Sequence, residues 1–290
     1  MKFLVFGASG MAGHTISLYL TEQGHDVTGF DLNKVSYCTS IIGNARDIES
    51  IKAIIKDGKY DSVINCIGIL NQFAENNKEL ATFLNSYFPH FLTSVTSGTD
   101  TQVIHMSTDC VFSGKRGGYK EDDLRDGETF YDRSKALGEL EDNKNITMRN
   151  SIVGPDINKD GIGLLNWFMK QSGTINGYTK VMWTGLTTLQ LAKAMESAAK
   201  VKAFGLYNMV NNESISKFNL LKLFNHYLRN DELSIIPCDT LTVDKSLIRT
   251  RFEFDYVVPD YETMVLEMAK WITTHDNMYP HYNLVKFLEK

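Results

Sequence analysis

The stretch that most constrains the fold lies at the start of the chain. Residues 3–6 form a short apolar run of the kind that suits a strand buried on both faces, and Gly7-Ala8-Ser9-Gly10-Met11-Ala12-Gly13 comes directly after it. A helical pattern through Ile16, Leu18, Tyr19 and Leu20 then stops at Gly24. Strand, glycine-rich turn and helix in that order are the context of a dinucleotide fingerprint. The glycines let the backbone approach a pyrophosphate, and the positive end of the helix faces its charge. This makes Gly7, Ser9, Gly10, Met11 and Gly13 candidate cofactor contacts. The spacing is GxxGxxG rather than GxGxxG, and a turn of this kind also occurs with no ligand.

The next segment favours the ligand. Residues 26–30 read as a second strand, and Asp31 lies 18 residues after Gly13, close to the distance at which an acidic residue meets the adenosine ribose. A carboxylate there accepts from ribose hydroxyls and repels a 2′-phosphate, which favours NAD(H); Lys34 nearby would tolerate NADP(H). Residues 40–42 read as a third strand. Asp47 is then a helix cap or an adenine contact, with Ile48 beside it. Residues 61–67 read as a fourth strand whose end, Cys66 to Gly68, comes close to a cofactor. A long helix over 78–97 carries Asn85. Residues 101–106 form a fifth strand ending in Ser107-Thr108-Asp109, and residues 146–150 a sixth. The alternation predicts an α/β fold with a doubly wound parallel sheet over residues 1–150.

Tyr131 and Lys135 stand four apart. On a helix they share one face. A lysine ammonium beside a tyrosine favours the phenolate, so the pair is a plausible general acid for a carbonyl oxygen. The spacing alone also fits an ordinary solvated helix face.

After residue 150 the alternation weakens. Helices are expected near 164–169, 187–199, 216–228, 261–272 and 281–288, with a strand near 205–210 returning to the main sheet. Residues 151–290 are thus expected to be mainly a smaller, discontinuous substrate-binding domain. The net charge of −5 without a long basic run argues against nucleic acid and anionic membranes as partners. The four cysteines show no CxxC and no zinc spacing, which suits reduced thiols, and no metal cluster is apparent. The opening apolar run is too short for a signal peptide or a membrane span. A cytoplasmic protein is expected.

Gly7 to Gly13, Ser107-Thr108-Asp109-Cys110-Val111-Phe112-Ser113-Gly114 and Tyr131-Asp132-Arg133-Ser134-Lys135 with Gly138-Glu139 resemble the extended short-chain dehydrogenase/reductase superfamily. Within it they look most like the dTDP-4-dehydrorhamnose reductase family. The resemblance implies a Rossmann domain that binds NADH or NADPH and reduces the C4 keto group of a nucleotide-linked 4-keto-6-deoxy sugar, with a homodimer as one option. It implies that Thr108 bonds the keto oxygen, that Tyr131 donates the proton, and that Lys135 holds the nicotinamide ribose. Asn85, Asp109 and Cys110 would shape the sugar pocket; Cys110 stands where the rhamnose enzymes usually carry tyrosine. Lys217, Arg249 and Arg251 are candidate partners for a diphosphate, and Trp183 could stack on a base or sugar, although exposed cations and a core tryptophan are the commoner roles. Two other readings stay open. One is a non-catalytic cofactor-binding subunit like the regulatory subunit of methionine adenosyltransferase; the other is a sugar-nucleotide epimerase, whereas a dehydratase would want an acidic pair after the catalytic hydroxyl and here Cys110 follows Asp109.

Overall fold

The computed structural model describes residues 1–284. The first half alternates strand and helix: β1 Lys2–Phe6, α1 Met11–Glu22, β2 Asp26–Asp31, β3 Thr39–Ile42, α2 Ile48–Gly58, β4 Ser62–Asn65, α3 Asn71–Asn76, α4 Lys78–Ala81, α5 Phe88–Val95, β5 Gln102–Ser107, α6 Phe130–Leu137 and β6 Ile146–Arg149. The second half carries β7 Ser151–Val153, α7 Leu164–Met169, β8 Thr174–Trp183, β9 Gly185–Thr187, α8 Thr188–Val201, β10 Gly205–Asn208, β11 Ile215–Ser216, α9 Lys217–Arg229, β12 Ser234–Asp244 and α10 Tyr261–Thr274.

Seven strands form the main sheet in the order β10-β6-β5-β4-β1-β2-β3, all parallel. Successive side chains of β1 point to opposite faces, as the pleat requires. Phe3 and Val5 enter one core and Leu4 and Phe6 the other, so the run is apolar throughout. The first core continues without a break through α8 into the second half, reaching Phe168, Phe224, Met264 and Trp271. The order of strands reverses between β1 and β4, which opens a crevice at their carboxyl ends.

The three-stranded sheet β11-β8-β12 was not anticipated from the sequence. Its long strands are largely exposed, interrupted by Gly177 and Pro237, and packed on one side by α9, so their apolar content is thin. The expected last helix over 281–288 extends beyond the described residues; within them, Pro280–Tyr282 makes one 3₁₀ turn. The segment before that turn is pinned to α1. Nδ1 of His14 bonds the Gly10 carbonyl and therefore carries the proton, so Nε2 accepts from the Tyr279 hydroxyl at 2.9 Å. Among the described residues no helix is long and apolar enough to cross a membrane.

Candidate active site

Every candidate from the first half sits at the carboxyl edge of the parallel sheet. Gly7 leaves β1 with φ +78° and lies against the backbone of Cys66 and Ile67 at the end of β4. A Cβ on Gly13 would clash with the Gly7 carbonyl oxygen, so α1 can start this close to β1 only with glycine there. Gly10 caps α1 with no side-chain acceptor for its first turn, which leaves Met11 and its neighbours presenting amides at the positive end of the helix. That cradle fits the pyrophosphate of a dinucleotide. Asp31, at the end of β2, accepts from the Ser9 amide at 2.9 Å with one carboxylate oxygen. The other faces only a long contact with the Asn33 amide, and can accept from a ribose. Asp47 caps α2 through the Ser50 amide at 3.1 Å, and Ile48 is half-buried against the core around Phe6 and Phe30.

Thr108 and Asp109 come just after β5, and both are 9% exposed. The Thr108 hydroxyl donates to Asp109 and accepts from the Cys110 amide, each at 3.1 Å. Tyr131 and Lys135 share one buried face of α6, whose start is fixed by a reciprocal cap between Thr129 and Asp132. The Thr129-x-x-Asp132 spacing was a sequence signal for that start. The Tyr131 ring packs beside Cys110, with Thr108 and Asp109 close enough to act on its phenol, and Nζ of Lys135 donates to the Met106 carbonyl in β5 at 2.7 Å. The sheet and α6 thus bring Thr108, Tyr131 and Lys135 together.

The electrostatics differ from the sequence expectation in one respect. Burial raises the Tyr131 phenol above its ordinary value, Cys110 and Asp109 add to this, and the nearby Thr108 hydroxyl opposes it. Lys135 does not pull it down, because its ammonium is directed at Met106 and is itself lowered to about 8 by burial. The phenol is held protonated, and the same burial disfavours the phenolate that proton donation would leave. Lys135 is charged below pH about 8 and neutral above it. If the charge holds the cofactor ribose, cofactor affinity is expected to fall as pH rises through that value, and in Lys135→Met it should be weak and pH-independent there. A flat wild-type titration of affinity between pH 7 and 9.5 would contradict the role.

Asn85 has its side chain taken up within the protein. It is fully buried; its side chain accepts from the Ile69 amide at 2.8 Å and donates to the Ile69 carbonyl and to Ser134 of α6. It lies in a π-helical turn, Thr82–Tyr87, just before Pro89, which has no N–H for a normal α-helical bond to the Asn85 carbonyl. Gly138 packs on that carbonyl with no room for a Cβ. Asn85 therefore locks α6 to the loop after β4.

Arg249 is also engaged elsewhere. It is 4% exposed, and its guanidinium donates to the carbonyls of Arg251, Tyr256 and Phe254. Arg251 pairs with Asp122. Trp183 is buried, with Tyr261 at 5.6 Å and the Lys217 ammonium 5.5 Å from its ring, so it is a wall rather than an open stacking platform. Burial pushes the thiols of Cys66 and Cys110 up to about 12, which leaves both unreactive. Among the described residues no cluster could hold a metal ion. Sequence reading missed Lys245, whose charge acts on Asp109 from the end of β12.

Three comparisons fit this geometry. The chain is 34% identical over 143 residues to a probable low-salt glycan biosynthesis reductase, Agl14, of Haloferax volcanii, an alignment spanning about half of each chain, 48% of both. It is 25% identical over 235 residues to methionine adenosyltransferase 2 subunit beta of Xenopus laevis, covering 76% of this chain and 70% of that one. The solved dTDP-4-dehydrorhamnose reductase of Bacillus anthracis, in complex with NADP, superposes with a TM-score of 0.78 at 20% identity, over 94% of this chain and 99% of that one. The family model of the RmlD substrate binding domain matches residues 1–252, and with that match over most of its length the chain belongs to this family, among the extended short-chain dehydrogenase/reductases.

Proposed function

We propose that the protein reduces the C4 keto group of a nucleotide-linked 4-keto-6-deoxy sugar with NADH or NADPH. The observation that carries this reading is the convergence of Thr108, Tyr131 and Lys135 beside the glycine turn. When bound, the reduced nicotinamide supplies hydride to the carbonyl carbon. The amides of Met11 to Gly13 hold the pyrophosphate, Asp31 accepts from the adenosine ribose, and Lys135 binds the nicotinamide ribose. Tyr131 gives its phenolic proton to the carbonyl oxygen. The Thr108 hydroxyl orients that oxygen, which takes only a rotation of its O–H bond away from Asp109.

The test is loss of absorbance at the reduced-nicotinamide band with a panel of dTDP- and UDP-linked 4-keto-6-deoxy sugars. Oxidation of the cofactor with one of them supports the reading. Silence across the panel with cofactor binding intact would favour a regulatory subunit, the reading suggested by the longer alignment with methionine adenosyltransferase 2 subunit beta.

Asp31 sets the cofactor preference. Asp31→Asn keeps an acceptor for the Ser9 amide and removes the charge. Hydrogen bonds to a charged group are worth about 1.5–3 kcal/mol, so KM for NADH is expected to rise roughly 10-fold or more while KM for NADPH rises less or falls. An unchanged NADH/NADPH ratio in steady-state kinetics would remove Asp31 from the ribose site.

A further inference from the structure

Two lysines from the second half act on Asp109 and Cys110, and among the described residues neither has an ion-pair partner. Lys217 opens α9 after the Ser216 cap. Its ammonium lies over Trp183, burial lowers its basicity, and the groups that act on its charge are Asp109 and Cys110. Lys245 comes just after β12. Its stem lies against Gly114, where an added Cβ would come within 2.8 Å of Lys245 Cγ, and its charge acts on Asp109 and Cys110 as well. Among the described residues neither lysine belongs to an ion pair, whereas six other lysines do. Asp109 is turned to the Thr108 hydroxyl and does not close on either of them. A lysine drawn out of water without a partner is costly, and an arriving anion offsets that cost. Both cations act on Asp109 and Cys110, the residues that follow Thr108.

We propose that Lys217 and Lys245 are the anion anchor of the sugar site, gripping a negatively charged group carried directly on the sugar ring. The inference rests on the nucleotide-sugar reading. It names the group that sets the ring against Tyr131: the β-phosphate of a nucleoside diphosphate, or a ring carboxylate.

Binding separates these sources, and it does not depend on turnover. The affinities of dTDP, UDP, dTMP, UDP-glucose and UDP-glucuronate are measured by calorimetry for the wild type, Lys217→Met, Lys217→Arg and Lys245→Gln, each with NADPH binding as a check on folding. Methionine keeps the stem over Trp183. A loss of about 10-fold or more for dTDP and UDP in Lys217→Met and Lys245→Gln, with dTMP unchanged and partial recovery in Lys217→Arg, identifies the β-phosphate. A preference for UDP-glucuronate over UDP-glucose that disappears only in the variants, with UDP unchanged, identifies a ring carboxylate. Unchanged affinities for every probe in variants that still bind NADPH would overturn the proposal. Lysine-dependent binding of dTDP in a protein that turns over no keto sugar would leave the anchor standing and defeat the reductase reading instead.

Discussion

Replacing Tyr131 with phenylalanine is expected to lower turnover of the keto sugar by about 10²–10⁴-fold, the range that positioned proton transfer contributes. The variant should fold, because the ring packs in a small apolar patch with Ala74, Ala81, Ile69 and Cys110 that phenylalanine also fills. Cofactor affinity should stay the same, since Lys135 is held by Met106 and not by the phenol. The loss should fall mainly on kcat, because the proton is needed only as charge develops on the oxygen. Thr108→Val, which removes the neighbouring hydroxyl but keeps its shape, should cost less than Tyr131→Phe. Turnover within a few-fold of wild type in Tyr131→Phe, at equal cofactor saturation, would show that another group delivers the proton.

The largest expected effect on stability lies just behind the site. Glu139, one residue after the turn that ends α6, accepts a bidentate pair from Arg149 of β6 and a bond from Ser107, the residue before Thr108. Arg149 is fully buried, and Arg125 adds a further contact on Glu139. The Glu139 carboxyl lies below its ordinary range: burial raises it, but the bonds and charges of Arg149, Ser107 and Arg125 together outweigh that. Glu139→Ala would leave the Arg149 charge buried and unpaired, which typically costs about 3–5 kcal/mol. In a chain of this size that corresponds to a fall in Tm of roughly 10 °C. The double variant Glu139→Leu/Arg149→Met should be more stable than Glu139→Ala alone, because it removes both charges. A loss below about 1 kcal/mol for Glu139→Ala in urea unfolding would mean that water or another group already neutralises Arg149.

The parts of the site nearest the sequence were the easiest to read. The glycine turn, Asp31 and the Tyr131–Lys135 pair each show a local pattern tied to one element, and the parallel sheet brings those elements to one edge. The role of Asn85 was harder to see. Its spacing in the chain does not show that its donors and acceptor face Ile69 and Ser134; only Pro89, which widens the helix there, hinted at a special turn. Arg249 illustrates the opposite case. A cation beside a pocket in sequence looked available to a diphosphate, but three carbonyls of its own loop surround it. Lys245 was invisible because it comes after a half-exposed strand with weak apolar signal, and its approach to Asp109 depends on a sheet formed by residues about sixty apart. The direction of the Tyr131 shift depends on burial, which spacing does not report.

The most direct measurement is the fate of a label. With NADPH or NADH carrying deuterium at the transferred position and a 4-keto-6-deoxy sugar nucleotide as substrate, the product is examined by NMR and mass spectrometry. Ketone reduction by this site should place one deuterium at C4 of the sugar for each cofactor oxidised, and at least about 10²-fold less in Tyr131→Phe over the same time. A product that is epimerised or dehydrated with no net cofactor oxidation and no deuterium at C4, or cofactor that binds and is never consumed, would contradict the ketoreductase reading.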